Sequence, residues 1–386
     1  MIHIFHSDMV GAPVLSGVAG SLVAVLDACL VDGWGATAVD NLVISGGVAT
    51  VTRAGHAMTP GAVAEIANAT TSGGSVNGNQ KVLSASSSTY TFATGLPDQT
   101  ATGSITHKLA PAGWQKAFGG ATVGAYLSLD TAGTQRYLRV DDTGTTNARV
   151  VGYETMTDQD TGTGPFPTPV QLSGGAHWPK SYTASAVARG WTLIADSRAF
   201  YLLLKYYDVV TYAVVVSFGD FASNKAADAH ACLLTGSQVD ISANTPNAAG
   251  AMYADLSYGA ASQGSWASRG VSGVGSSQPI FRVGGMSGTS GVTSFLSGAS
   301  ALLMAYPNPA NNGLYLAPFN LMEGAGTVCF RGVLAGAYFC PMNLGASAFA
   351  TGSEITGVSG LDGKTLTALN TGAGAIFVDL TGPWAR

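Results

Sequence analysis

Apolar residues recur at helical spacing in one part of the chain. Leu22, Val25, Leu26, Cys29 and Leu30 fall at i, i+3, i+4, i+7 and i+8, which predicts a helix from Ser21 to Val31 with a single apolar stripe. Ser21 is the expected N-cap, Asp27 lies off the stripe, and Gly33 supplies the stop. From Asn41 the period changes to two. Short apolar segments alternate with turn residues, beginning with Asn41–Ser45 and Val48–Arg53 on either side of Gly46-Gly47, a two-residue hairpin signal. Val82–Ser84, Tyr90–Ala93 and Ser104–Leu109 continue the pattern up to Pro111, so residues 36–111 read as a small β-barrel or sandwich.

A more aromatic region opens at Gly113-Trp114. Strands are expected at Ala125–Leu129, Gln135–Val140 and Arg149–Tyr153, separated by the turn sequences Asp130-Thr-Ala-Gly and Asp141-Asp142-Thr-Gly. Trp191–Ala195, Phe200–Lys205 and Tyr212–Phe218 are apolar without alternation, which is the mark of a sheet covered on both faces. Residues 235–278 are mostly Ser, Ala, Gly and Asn and read as a long inserted loop. Strands resume at Ile280–Val283, Leu302–Ala305, Leu314–Pro318 and Val328–Leu334, with Pro307–Gly313 as a turn, and a last one is expected at Ile376–Leu380. The expected fold class is mainly β, a set of sandwich or barrel modules with one short N-terminal helix. The divisions fall at 1–35 (arm and helix), 36–111 (small module), 112–340 (larger sandwich carrying the insertion) and 341–386 (C-terminal module). No period of solenoid type is present.

Composition narrows the function. Charged residues are 10% of the chain, against roughly 25% in an average soluble protein, and glycine reaches 52 of 386 residues. A surface this poor in charge keeps a free monomer in solution badly, so much of it is expected to be covered by copies of the chain or by other subunits. With 17 Lys plus Arg and a net charge of -5, nucleic acid is not an expected partner. The start Met-Ile-His-Ile-Phe-His-Ser-Asp lacks a basic region and an apolar core of signal length, so no targeting segment is expected. The apolar run from Pro13 to Val31, broken by Asp27 and without basic flanks, reads as a core helix and not as a membrane span, so membrane insertion is not expected.

Candidate chemistry is sparse, and no cofactor is expected. Among the six histidines, only His3 and His6 are close enough in sequence to share a metal, and on a terminal strand they would point to opposite faces of a solvated arm. Asp158-Gln-Asp160-Thr-Gly-Thr-Gly has the opening of an oxygen-ligand calcium loop. Its twelfth position, next to Val170, carries no acid, so a plain turn is the simpler reading. Glu154 and Asp158 could form a glycosidase couple at the right separation. Cys29, Cys232, Cys329 and Cys340 fit buried thiols, although Cys329 and Cys340 could face each other across a hairpin. Tyr253, Tyr258 and Trp266, set among small polar residues in the long loop, have the texture of a saccharide- or protein-contacting surface, or of rings buried in a subunit interface.

Several stretches resemble one group of proteins. The segment from Ala12-Pro-Val-Leu-Ser to Val31-Asp-Gly-Trp-Gly35 resembles the opening of virion structural proteins of unassigned function in tailed phages of Gram-negative hosts. Gly47-Val-Ala-Thr-Val-Thr52 followed by Gly55-His56 is similar to a small β-module used repeatedly in phage particles. Tyr137–Asp142, Gly152–Met156 and Phe377–Trp384 match the same group in the same order. The resemblance implies a place in the particle, with other copies of itself and other virion proteins as partners, and no catalytic residues. The modular style suits a tail-tip or baseplate subunit, a capsid decoration or head-spike protein being the alternative and a host-glycan adsorption protein the third.

Overall fold

The structure is a computed structural model that describes residues 1–207, 213–238, 240, 264–283, 304–323, 329–343, 348–371 and 375–386. Among the described residues it is mainly β, with curled sheets forming half-barrels and a single short helical segment. That segment is α-helical over Ser21–Leu26 and widens to a π-helix over Asp27–Asp32, ending at Gly33 as expected. All five stripe residues are fully buried. The widening begins where Tyr126 Oη lies 3.4 Å from the Val23 carbonyl and donates to Asp27 at 2.8 Å, competing with the helical ladder for that carbonyl.

The start of the helix differs from expectation. Gly20, not Ser21, is the N-cap residue, in a left-handed conformation at φ 81°. A Cβ there would stand 2.5 Å from the Ala121 carbonyl oxygen. The Ser21 hydroxyl turns back to donate to the Ser16 carbonyl at 2.8 Å. The free N–H groups of Leu22 and Val23 instead donate to Asp142 Oδ2 at 2.7 and 3.3 Å, so the cap comes from a distant strand end.

Residues 34–109 form an eight-stranded sheet. Its order is Trp34–Ala38, Thr106–Leu109, Val63–Ala67, Gly78–Ala85, Thr89–Ala93, Val48–Thr52, Asn41–Ser45 and Gln99–Thr100. Ser45 pairs with Val48 across Gly46 (φ 58°) and Gly47 (φ 77°), the two positive values that a type I′ turn requires. Alternation sends Leu42, Ile44, Ala49, Val51, Tyr90 and Phe92 to one buried face. A second sheet is a five-stranded meander through Trp114–Gly119, Val123–Ser128, Tyr137–Asp141, Asn147–Tyr153 and Ala176–Pro179.

The largest sheet has thirteen strands among the described residues. It runs from His3–His6 through Trp191–Ala195, Ala199–Leu204, Val214–Asp220, Cys232–Thr235, Ser265–Ala267 and Gln278–Val283. It continues through Ala317–Glu323, Cys329–Phe339, Ala375–Asp379 and Leu366–Asn370 to Glu354–Ile355, and Ala222–Ser223 pairs with Cys329–Phe339 off this path. The residues of Trp191–Ala195, Ala199–Leu204 and most of Val214–Asp220 are buried on both faces, as their unbroken apolar character predicts. The two faces feed separate cores. Leu193, Phe200, Leu202, Val216 and Phe218 pack with the helix, the small module and the middle sheet. Ile194, Tyr201, Leu203 and Val215 pack with Phe319, Leu321, Val378 and Trp384 from the far part of the same sheet, which curls back over them.

This assembly redraws the arm and the tail. His3–His6 is not a solvated arm: it pairs antiparallel with Trp191–Ala195, and His3 is 4% exposed. The division expected at 340/341 falls between hydrogen-bonded neighbours, since Cys329–Phe339 pairs with Ala375–Asp379. The strand expected at Leu314–Pro318 begins later, at Ala317, because Tyr315 N–H is directed at Met342 Sδ, 3.3 Å away, and not at a ladder partner.

Candidate functional site

A cleft of about 410 Å³ lies where the Ala132–Thr134 turn of the meander meets the Asp220–Ala231 stretch of the large sheet and Arg386. Charged side chains gather at and just behind its wall, and each acid has a partner. Asp130 accepts from Arg198 Nε at 2.7 Å and Nη2 at 3.2 Å, from Ser197 Oγ at 3.0 Å and from the Ala132 N–H at 3.0 Å. The Arg198 guanidinium holds the Asp130 carboxyl down at about 2. Asp196 takes both Arg386 terminal nitrogens, at 2.6 and 2.9 Å, and the N–H groups of Arg198 and Ala199. Asp220 accepts from the Thr134 N–H at 3.0 Å and its hydroxyl, and burial pushes its carboxyl above the usual range.

Deeper in the same junction Arg331, fully buried, binds Asp228 at 2.8 Å and also pairs with Glu323. Asp228 further accepts from Ser223 Oγ at 2.7 Å and from the His230 N–H at 3.0 Å. Glu154 of the meander takes Arg269 in a two-pronged pair, Nη2 at 2.7 Å, and lies 3.9 Å from His230 Nδ1. Burial alone would raise the Glu154 carboxyl, but the Arg269 guanidinium outweighs it and holds it below its ordinary value.

Glu154 and Asp158, the couple the sequence offers, are engaged with separate partners. Such a couple needs one carboxyl kept protonated and a second free to face water or the sugar carbon. Asp130, Asp196 and Asp228 are held by guanidinium and backbone donors and Asp220 by the Thr134 hydroxyl and N–H, so these charges join the meander's turn to the large sheet. Glu154 and Asp158 do not face each other as partners: Glu154 holds Arg269, while Asp158 accepts the N–H groups of Asp160 and Thr161, both at 2.8 Å, inside its own turn. Asp160 binds Arg139 Nη2 at 2.8 Å. The Asp158–Asp160 stretch is thus a self-capped turn, and no group of three or more potential metal ligands exists among the described residues.

The remaining sequence candidates fall elsewhere. Trp266 is not on a loop surface or in a subunit interface but on Ser265–Ala267, 2% exposed in the chain's own core. Tyr253 and Tyr258 lie outside the described residues. Cys329 opens the strand Cys329–Phe339 and Cys340 follows its last residue; Cys329 lies opposite Glu323 and Phe339 opposite Ala317, about 20 Å apart at the usual rise per residue, so the two cysteines do not face each other across a hairpin. His3 and His6 alternate between a buried and a partly exposed face.

Sequence reading missed Asp142 and Lys180, a fully buried ion pair in which Lys180 Nζ also donates to the Val18 carbonyl at 2.8 Å. A signal was present: Leu138 and Val140 point inward, and period two carries that face on to Asp142. Asp141 alone serves the turn, through Thr143. Arg331 gave less warning, because the strand register shifts twice along its pairing with Ala317–Glu323. No protein-family model matches the chain, and comparison with curated proteins finds no match.

Proposed function

We propose that this chain is a structural component of a tailed-phage virion, most consistent with a tail-tip or baseplate subunit that works through protein–protein interfaces. The observation that carries the reading is where the few charges go. Arg198, Arg269, Arg331, Arg386 and Lys180 are all consumed in intramolecular pairs. What is left outside is small residues with scattered acids such as Asp32, Asp98 and Asp362, and it includes exposed apolar side chains. Val10, Val14, Val18 and Val187 are 57, 58, 47 and 57% exposed. Val14 and Val187 flank the Leu15–Arg189 bridge that ties their two segments together, which suits a face covered in an assembly. The resemblance of the Ala12–Gly35 and Phe377–Trp384 stretches to phage virion proteins supports the same reading.

Cryo-electron microscopy of the intact particle tests it. Density for this chain around the tail axis, repeated by symmetry, is the expected result. Density on the capsid lattice would replace the tail reading with the head-decoration alternative, and distal density contacting host glycan would favour the adsorption alternative. Absence of the chain from purified particles would overturn the proposal altogether.

A further inference from the structure

Two seams of this fold are closed by histidines held without a counter-ion in contact. The first runs along the strand His3–His6, which pairs with Trp191–Ala195 on one side and meets the small module on the other. His3 Nδ1 is 3.2 Å from the Ala110 carbonyl, its ring stacks on Phe5 at 6.0 Å, and Lys81 Nζ donates to the Ile2 carbonyl at 2.8 Å. The second lies between the meander and the large sheet. His177 and Ser237 exchange backbone hydrogen bonds of 2.9 and 3.0 Å, Trp178 Nε1 donates to the Thr235 carbonyl at 2.6 Å, and the buried His177 Nδ1 has no hydrogen-bond partner. Each ring is less than a tenth exposed, His3 at 4% and His177 at 7%.

We propose that mild acid opens these two seams, His3 and His177 being the groups that take up the protons. The charges facing each ring favour this. His3 faces the N-terminal amine and Lys81, with Asp196 the opposing acid; His177 faces Arg149, with Asp240 opposing. A proton on His3 therefore places a third positive charge beside two existing ones, and a proton on His177 adds a second beside Arg149.

Burial holds both imidazoles down at about 4, from an ordinary 6.5. The closed seam binds fewer protons than the open one. Closure is at full strength above pH 6.5 and is lost progressively as the pH falls toward 4. At pH 4.5 the linkage favours opening by roughly 80-fold for each histidine. The inference does not depend on the particle assignment.

Hydrogen exchange at pH 7.5 and 4.5, corrected for intrinsic rates, reads the seams through the amides of His3–His6 and those of His177 and Ser237. Protection at these amides is expected to fall in acid, and to fall roughly 80-fold less at the seam whose histidine is replaced in His3→Gln or His177→Gln. Unchanged protection in acid, or an equal loss in the doubly substituted chain, would overturn the proposal. Imidazole NMR of the unsubstituted chain gives an independent reading: His3 and His177 titrating near 4 is the expected result, and midpoints near 6.5 would sink it.

Discussion

The small module and the large sheet solve the same problem by different means. In the small module, neighbouring strands are often neighbours in sequence: Asn41–Ser45 with Val48–Thr52, and Gly78–Ala85 with Thr89–Ala93. Turn chemistry sets these pairings, and little loop entropy is lost in making them. In the large sheet, His3–His6 pairs with Trp191–Ala195, Ala222–Ser223 pairs with Cys329–Phe339, and Arg386 clasps Asp196. No turn can specify such contacts. The anchors there are buried polar groups whose alternative is an unpaired charge in the core. Local order rests on backbone conformation, and long-range order rests on side-chain satisfaction.

That contrast can be broken most severely at Arg331. Arg331→Ala strands Asp228 and Glu323 together in the interior, and should cost about 3–5 kcal/mol in denaturant unfolding. A loss under 1 kcal/mol would show that the buried cluster is not what holds the large sheet. Lys180→Ala should cost about 3 kcal/mol at pH 8. Burial already raises the Asp142 carboxyl, and removing Lys180 raises it further, so Asp142 takes up a proton as the pH falls and the penalty shrinks. Equal penalties at pH 8 and pH 5 would contradict this account.

The small module has one acid-labile element of its own. Tyr90 Oη lies 2.7 Å from His107 Nδ1, and burial, with His56 and Arg53 nearby, holds the His107 imidazole at about 4. Its contribution is complete above pH 6.5 and fades toward pH 4, a loss of about 2–3 kcal/mol once solvent screening is allowed for. His107→Phe, which cannot take up a proton, should flatten that part of the stability–pH profile. The turn responds least. Gly46→Val forces a β-branched residue to φ 58° and should cost about 1–2 kcal/mol. Gly46→Asn, a residue that tolerates this conformation, should stay within about 0.5 kcal/mol, with nothing within 4 Å of the new Cβ. If both substitutions were silent in thermal unfolding, turn chemistry would not be what fixes the hairpin.

Legibility followed the same division. The Gly46-Gly47 hairpin, the helix stripe and the three central strands of the meander are legible because their signals are local: period, turn residues and glycine stops; Trp114–Gly119 and Ala176–Pro179 carry no such signal. Val63–Ala67 forms a strand without announcing one, since Val-Ala-Glu-Ile-Ala carries too little apolar contrast to stand out from its surroundings. Trp266 was read as part of a surface because its neighbours in sequence are Ser and Gly, while its neighbours in space are core side chains. Glu154 and Asp158 stand out for proximity in sequence, yet Glu154 pairs with Arg269, 115 residues further on.

By itself the sequence determined that this is a charge-poor β protein with one short buried helix, because period, turn chemistry and composition act over a few residues at a time. The tertiary structure alone decided that the first strand and the last residue close on the same stretch around Asp196, that Asp142 caps a helix begun at Ser21, and that Lys180 and Arg331 are buried against acids. Those outcomes depend on which distant groups meet after burial, where an unmet donor or acid is costly and a met one fixes the partner.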